Sequence, residues 1–212
     1  MAEGYGVSAA GGNRTSEIDP EHRAANFHAT PGGAGEALLG LYPLKKVWEC
    51  ACGDGALSKV FLASGAKVLS SDLYDRGYGK TGVDFMSVQK LPSEDCDIAT
   101  NPPFNLATEF IRHAVLTLKA PRTFLLLKST FWHAANRLDL WEECRPSWQL
   151  PLTFRLDFTG AGSPAMELTW FMWDRDDPVR ECRTELLRDN GGRPVKVRKP
   201  RAKKVKEDWD IV

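Results

Sequence analysis

The spacing of apolar positions changes several times along this chain, and each change marks an element. Residues 46–51, Lys-Val-Trp-Glu-Cys-Ala, have the length and composition of a buried strand, and the run breaks at Gly53-Asp54-Gly55. Apolar residues then recur at helical spacing over 56–65. A second strand is expected over 67–71, running into Asp72, and a third over 96–100. Helical spacing returns over 107–118. Residues 123–128 are continuously apolar up to Lys128, as expected of a central parallel strand covered on both faces. Upstream, Thr30 suits a helix N-cap, Pro31 the first helical position, and the leucines of 35–41 a buried face. Residues 82–85 read as a short edge segment and 134–144 as a helix. Residues 154–158 alternate like a half-exposed strand, with 167–173 as its antiparallel partner across the loop 159–164. Strands alternating with helices imply an α/β fold: a doubly wound, mostly parallel sheet with an antiparallel terminal strand pair.

At 212 residues the chain has room for one such domain, expected over 27–178, with a loose N-terminal tail over 1–26. A composition of 42% hydrophobic and 26% charged residues is that of a soluble globular protein. No apolar run approaches the roughly 18–20 residues of a membrane span, so no membrane partner is expected. The Gly-, Ala- and Ser-rich start lacks the apolar stretch of a secretory signal. The formal charge balances at 28 against 28 but is polarised, because basic residues crowd the stretch from Arg180 onward, expected to form a basic tail over 179–212. Cysteines 50, 52, 96, 144 and 182 are odd in number and show no paired CxxC spacing. Neither a disulfide framework nor a metal site is expected, and a reducing cytoplasm fits best.

Candidate chemistry centres on Asn101-Pro102-Pro103-Phe104, at the end of the third strand. Consecutive prolines lack the N–H groups a strand ladder needs, so the tetrapeptide is a stiff loop. It presents an amide acceptor and a flat apolar ring, a pairing suited to an amine on a heterocycle; taken alone, a surface turn is the simpler reading. Asp72 lies 18 positions after Asp54, close to the spacing at which an acid ending the second strand meets the ribose hydroxyls of a bound nucleoside. Asp84 suits either an adenine amine or a loop cap. Phe131, Trp132, Trp141 and Trp148 lie in or beside a possible substrate-recognition insertion over 129–152, where they either hold a base or fill the core.

Glu49 to Gly55, Asp72, Gly82 to Phe85 and Asn101 to Phe104, in this order, resemble the motifs of S-adenosylmethionine-dependent amino-methyltransferases. Within these the chain is most similar to small phage-type DNA adenine-N6 enzymes, over about residues 27–175. The resemblance implies a Rossmann-like class I methyltransferase fold and S-adenosylmethionine as cofactor, held by Thr30, Glu49, Cys50, Gly53, Asp54, Gly55, Asp72, Leu73, Asp84 and Phe85. It implies that Asn101 and the Pro102 carbonyl accept the hydrogens of the target amine, with Pro103 stiffening the loop and Phe104 stacking on the base. A base inside a duplex must be flipped to reach such a pocket. Phe131, Trp132 and Ser163 are expected on the substrate side, with Lys199, Arg201, Lys203 and Lys204 against phosphates, DNA being favoured over RNA. With no long recognition domain, sequence specificity should be short or relaxed. RNA adenine, cytosine N4 and protein glutamine N5 remain as alternative acceptors, as does a non-catalytic nucleic-acid-binding role. The absence of a Pro-Cys nucleophile speaks against cytosine-C5 chemistry.

Overall fold

The computed structural model describes residues 30–158, 166–178 and 181–187. Its seven strands are β1 (Lys46–Glu49), β2 (Lys67–Ser70), β3 (Asp97–Thr100), β4 (Arg122–Lys128), β5 (Trp148–Pro151), β6 (Leu168–Asp174) and β7 (Arg183–Thr184). They form one sheet in the order β2-β1-β3-β4-β6-β5-β7. The first four are mutually parallel, and β6 runs antiparallel between β4 and β5. The helices are α1 (Gly33–Leu41), α2 (Ala56–Ala63), α3 (Ala107–Arg112) and α4 (Leu138–Glu143). This is the expected mixed α/β class. Among the described residues no helix is long and apolar enough to cross a membrane.

The sheet has a core on each face, and β4 shows why its apolar run is unbroken. Leu125 and Leu127 join Trp48, Ile98, Ile111 and Phe171 in one cluster, while Phe124 and Leu126 join Val47, Leu38, Phe61 and Trp170 in the other. Successive side chains leave a strand on opposite faces, so a strand with two covers needs apolar residues throughout. Burial of each such Leu or Phe contributes about 1.5–3 kcal/mol. At the entry end of β3, the buried carboxylate of Asp97 is held by Arg122, with Nη2 2.5 Å from Oδ2. From β1 the chain turns outward to β2 and then returns to the other side of β1 as β3. A doubly wound sheet opens its ligand crevice at such a reversal, beyond the carboxyl ends of the strands.

Several expected elements take a different form. Residues 82–85 form no strand: Gly82 has φ +71°, and the Asp84 carboxylate accepts from the Met86 N–H, opening a short 3-10 turn over Phe85–Ser87. The ladder beside β6 is β5, inside the stretch expected to be an insertion, whereas among the described residues 154–158 contributes a single bridge, Leu156 to Met166. Phe154 and Phe158 alternate because they cover the second core. Thr30 caps nothing; the N-cap position of α1 is Gly32, and the helix begins at Gly33. The helix expected over 107–118 becomes a π-turn from His113 to Thr117, and the one over 134–144 begins as a 3-10 turn. Past the expected domain end, β7 pairs with β5 and Leu187 is buried in the second core.

Candidate active site

The carboxyl ends of β1 to β4 enclose a cavity of about 450 Å³. Twelve of the expected site residues stand on its wall: Thr30, Glu49, Cys50, Asp54, Asp72, Leu73, Asp84, Phe85, Asn101, Pro102, Pro103 and Phe104. Sequence positions 30 to 104 therefore converge on one space because four parallel strands end along one edge.

The loop between β1 and α2 is shaped by two left-handed glycines, Gly53 at φ +56° and Gly55 at φ +79°. The Gly53 N–H donates to Asp72 Oδ2 at 2.8 Å, and the Tyr74 N–H donates to Asp72 Oδ1 at 2.9 Å. Asp72 thus ties the end of β2 to the glycine loop, and each of its oxygens retains a second lone pair for a ligand. Neither glycine lies on the cavity wall. The space that Gly55 leaves is filled from within the protein: a Cβ there would sit 2.3 Å from the Tyr78 ring. Asp54 Oδ1 accepts from the Ala56 N–H at 3.2 Å, occupying one of the first free amides of α2.

Glu49 is buried, and its carboxylate oxygen Oε2 accepts from the Ser58 hydroxyl, which also lies 2.6 Å from the Ser70 hydroxyl. Burial pushes its pKa up to about 8, an effect opposed by the Ser58 hydrogen bond and reinforced by Asp54 and Asp72. At neutral pH the group is therefore largely protonated, and a cation placed beside it would favour ionisation. Burial likewise raises the Cys50 thiol and pushes Cys52 up to about 12, so neither is a thiolate nucleophile.

On the other side of the cavity, Asn101 follows β3 directly. Its Nδ2 donates to Thr30 Oγ1 at 2.9 Å, while its Oδ1 is buried and, among the described residues, has no hydrogen-bond partner. Leaving a buried acceptor unpaired costs about 1–3 kcal/mol, so this oxygen marks a place for an arriving donor. Phe104 opens a 3-10 turn over Phe104–Leu106, and Lys128 Nζ stands 5.2 Å from the centre of its ring. Phe85 is stacked on Phe110 with centroids 4.8 Å apart and meets Trp48 edge-on.

Phe131 and Trp132 do not reach this cavity. Trp132 packs 4.3 Å from Trp141 and donates through Nε1 to Gln149, and Phe131 meets Trp141 edge-on under the Arg137 guanidinium. Both belong to the first core or its margin. Ser163, Lys199, Arg201, Lys203 and Lys204 lie outside the described residues. Sequence reasoning passed over Tyr74, Arg76, Phe158, Met166 and Lys128, all on the wall. Of these, Lys128 carried a readable signal, a charge closing the apolar run of a central strand. Among the described residues no group of three or more His, Cys, Asp or Glu could hold a metal ion.

No protein-family model matches the chain, and no curated protein matches it either. Solved structures do match in fold. A candidate RNA methyltransferase from Pyrococcus horikoshii aligns over 69% of this chain and 85% of its own, with TM-score 0.54 and 16% identity. A candidate class I S-adenosylmethionine-dependent methyltransferase from Listeria monocytogenes aligns over 76% of this chain and 66% of its own, with TM-score 0.54 and 14% identity. The methyltransferase subunit of a type I restriction-modification system from Streptococcus thermophilus aligns over 75% of this chain, with TM-score 0.56 and 12% identity. This chain spans 47% of that subunit's length. At these identities the likeness establishes the fold, that of class I methyltransferases.

Proposed function

We propose that this protein transfers a methyl group from S-adenosylmethionine to an exocyclic base amine in nucleic acid, with adenine N6 in DNA as the acceptor. The observation that carries this reading is the Asn101 amide: the residue stands on the cavity wall, its nitrogen is anchored on Thr30, and its oxygen is buried and, among the described residues, has no hydrogen-bond partner. That oxygen needs a donor, and an aromatic amine is one.

The wall residues fit the cofactor. The second lone pairs of Asp72 are available to the ribose hydroxyls, and the carboxylate of Asp84 to the adenine amine, with Phe85 flanking the ring. Glu49 lies within the same cavity, where ionisation would let it face an ammonium group. When bound, the cofactor supplies an activated methyl group, so the protein's task is alignment and electrostatics. Asn101 Oδ1 and the Pro102 carbonyl accept hydrogen bonds from the two N–H groups of the acceptor amine. This pulls the nitrogen toward a tetrahedral geometry and frees a lone pair otherwise delocalised into the ring. One of the two protons leaves to solvent after the methyl is gained. Phe104 stacks on the base, and the prolines hold these groups in fixed relation.

DNA is favoured by the motif resemblance and by the restriction-modification subunit among the matching folds. RNA is the second reading, favoured by the candidate RNA methyltransferase that shares the fold over most of its own length. The test is to incubate the protein with isotopically labelled S-adenosylmethionine and separate pools of DNA, RNA and protein, then identify the methylated product by mass spectrometry. N6-methyladenine in DNA is expected. Label only in glutamine, or in no pool, contradicts the reading.

A further inference from the structure

The cavity is electrically divided along the order of the sheet. Its acids, Glu49, Asp54, Asp72 and Asp84, come from the ends of β1 and β2 and the loop beyond β2. Among the described residues, the acceptor side at the ends of β3 and β4 carries no acid and one cation, Lys128. Among the described residues its ammonium pairs with no carboxylate. The sequence between Phe158 and Met166, two further wall residues, contains no acid either.

The register shows how far Lys128 reaches. Thr100, the last residue of β3, pairs with Leu125 of β4, so Lys128 lies three residues farther along, about 10 Å at roughly 3.3 Å per residue. Beyond Thr100 the neighbouring chain has already turned into Asn101 to Phe104. Lys128 therefore rises past the amide toward the outer rim, shares a strand face with Phe124 and Leu126, and places Nζ over the Phe104 ring. A base stacked on Phe104 needs that space and pushes the ammonium to the base's edge. There the nearest anion of an extruded nucleotide is the phosphate of its own backbone, because the sugar and phosphates stay at the mouth when the base goes in.

Resting on the proposed reading of the site, we propose that Lys128 is a substrate-holding residue that binds a phosphate flanking the target base, and that it selects a nucleotide within a polynucleotide over an uncharged amide acceptor. The shared chemistry is the phosphodiester, so DNA and RNA are separate arms of the test.

The test compares the full chain with Lys128→Met and Lys128→Arg. Initial rates of methyl transfer to mixed-sequence DNA and RNA oligonucleotides are followed from about 25 to 200 mM salt, with S-adenosylhomocysteine binding measured in parallel. Loss of one phosphate contact should flatten the dependence of log(kcat/KM) on log salt by about 0.7–0.9. At low salt Lys128→Met should raise KM about tenfold with a smaller change in kcat, Lys128→Arg should restore most of both, and nucleoside binding should be unchanged. A salt slope and KM equal to those of the wild type, or a fall in kcat alone with the slope intact, overturns the inference and leaves the methyltransferase reading standing. No transfer by the wild-type chain to either polymer overturns both.

Discussion

Two polar residues of the cavity wall, Glu49 and Asn101, hold opposite kinds of unfinished business. Asn101 presents an acceptor with nothing to accept, whereas Glu49 presents a carboxyl that its surroundings keep neutral. The second has a thermodynamic consequence in the free protein. A glutamate that ionises near 4.5 in the unfolded chain and near 8 in the folded one leaves the folded state binding the extra proton between those values. Its contribution to stability is present in full below about pH 4.5 and is lost as pH rises toward about 8. Glu49→Gln keeps an acceptor for Ser58 without the titration. The variant should therefore gain on the wild type between pH 5.5 and pH 8.5, by an amount on the order of a few kcal/mol. Denaturant unfolding of both proteins at the two pH values measures it, and parallel pH trends would reject the assignment.

At the scale of elements, Gly55 has a packing role that the sequence did not reveal. Its missing side chain accommodates Tyr78, under Lys59. Gly55→Ala combines a left-handed backbone with a ring contact and should cost about 1–3 kcal/mol in denaturant unfolding. Removing the ring in Gly55→Ala/Tyr78→Ala should leave only the backbone share of that cost, relative to Tyr78→Ala. The same contrast explains what could be read in advance. The parallel strands were legible because burial on both faces demands runs such as Phe124–Leu127, and the turn after β3 was legible because two prolines permit nothing else. Missed were β5, whose burial leaves only Leu150 fully covered, and the turn at Asp84, where local side-chain capping outcompetes an extended form. Asn101 was legible as an acceptor, but its anchor on Thr30 was not, since nothing local links residues so far apart. The aromatics at 131 and 132 were equally compatible with base and core, and packing against Trp141 and Phe171 places Phe131 in the core and Trp132 at its margin.

For the molecule as a whole, the sheet continues farther along the chain than its composition suggests. The basic stretch begins at Arg180, but β7 and the buried Leu187 belong to the sheet and its core. If the remaining basic residues neutralise phosphates, removal of 191–212 should weaken polynucleotide binding and flatten its salt dependence by several units without lowering Tm. Removal from 180 onward should lower Tm as well, because it strips an edge strand and a core residue. An unchanged salt slope after the shorter truncation would assign the basic stretch no part in binding.

All three scales meet at the amide after β3, where a stiff loop, a distant threonine and the ends of four strands leave one buried oxygen without a donor. The most direct measurement follows label from S-adenosylmethionine into DNA adenine for the wild type and Asn101→Ala, with cofactor affinity determined by calorimetry on the same samples. The account predicts N6-methyladenine from the wild type, a loss of at least about 10²-fold in kcat for the variant, and cofactor affinity unchanged within about threefold, since an energy difference that small lies below one hydrogen bond. Transfer that survives the substitution, or transfer and cofactor binding lost together, would contradict it.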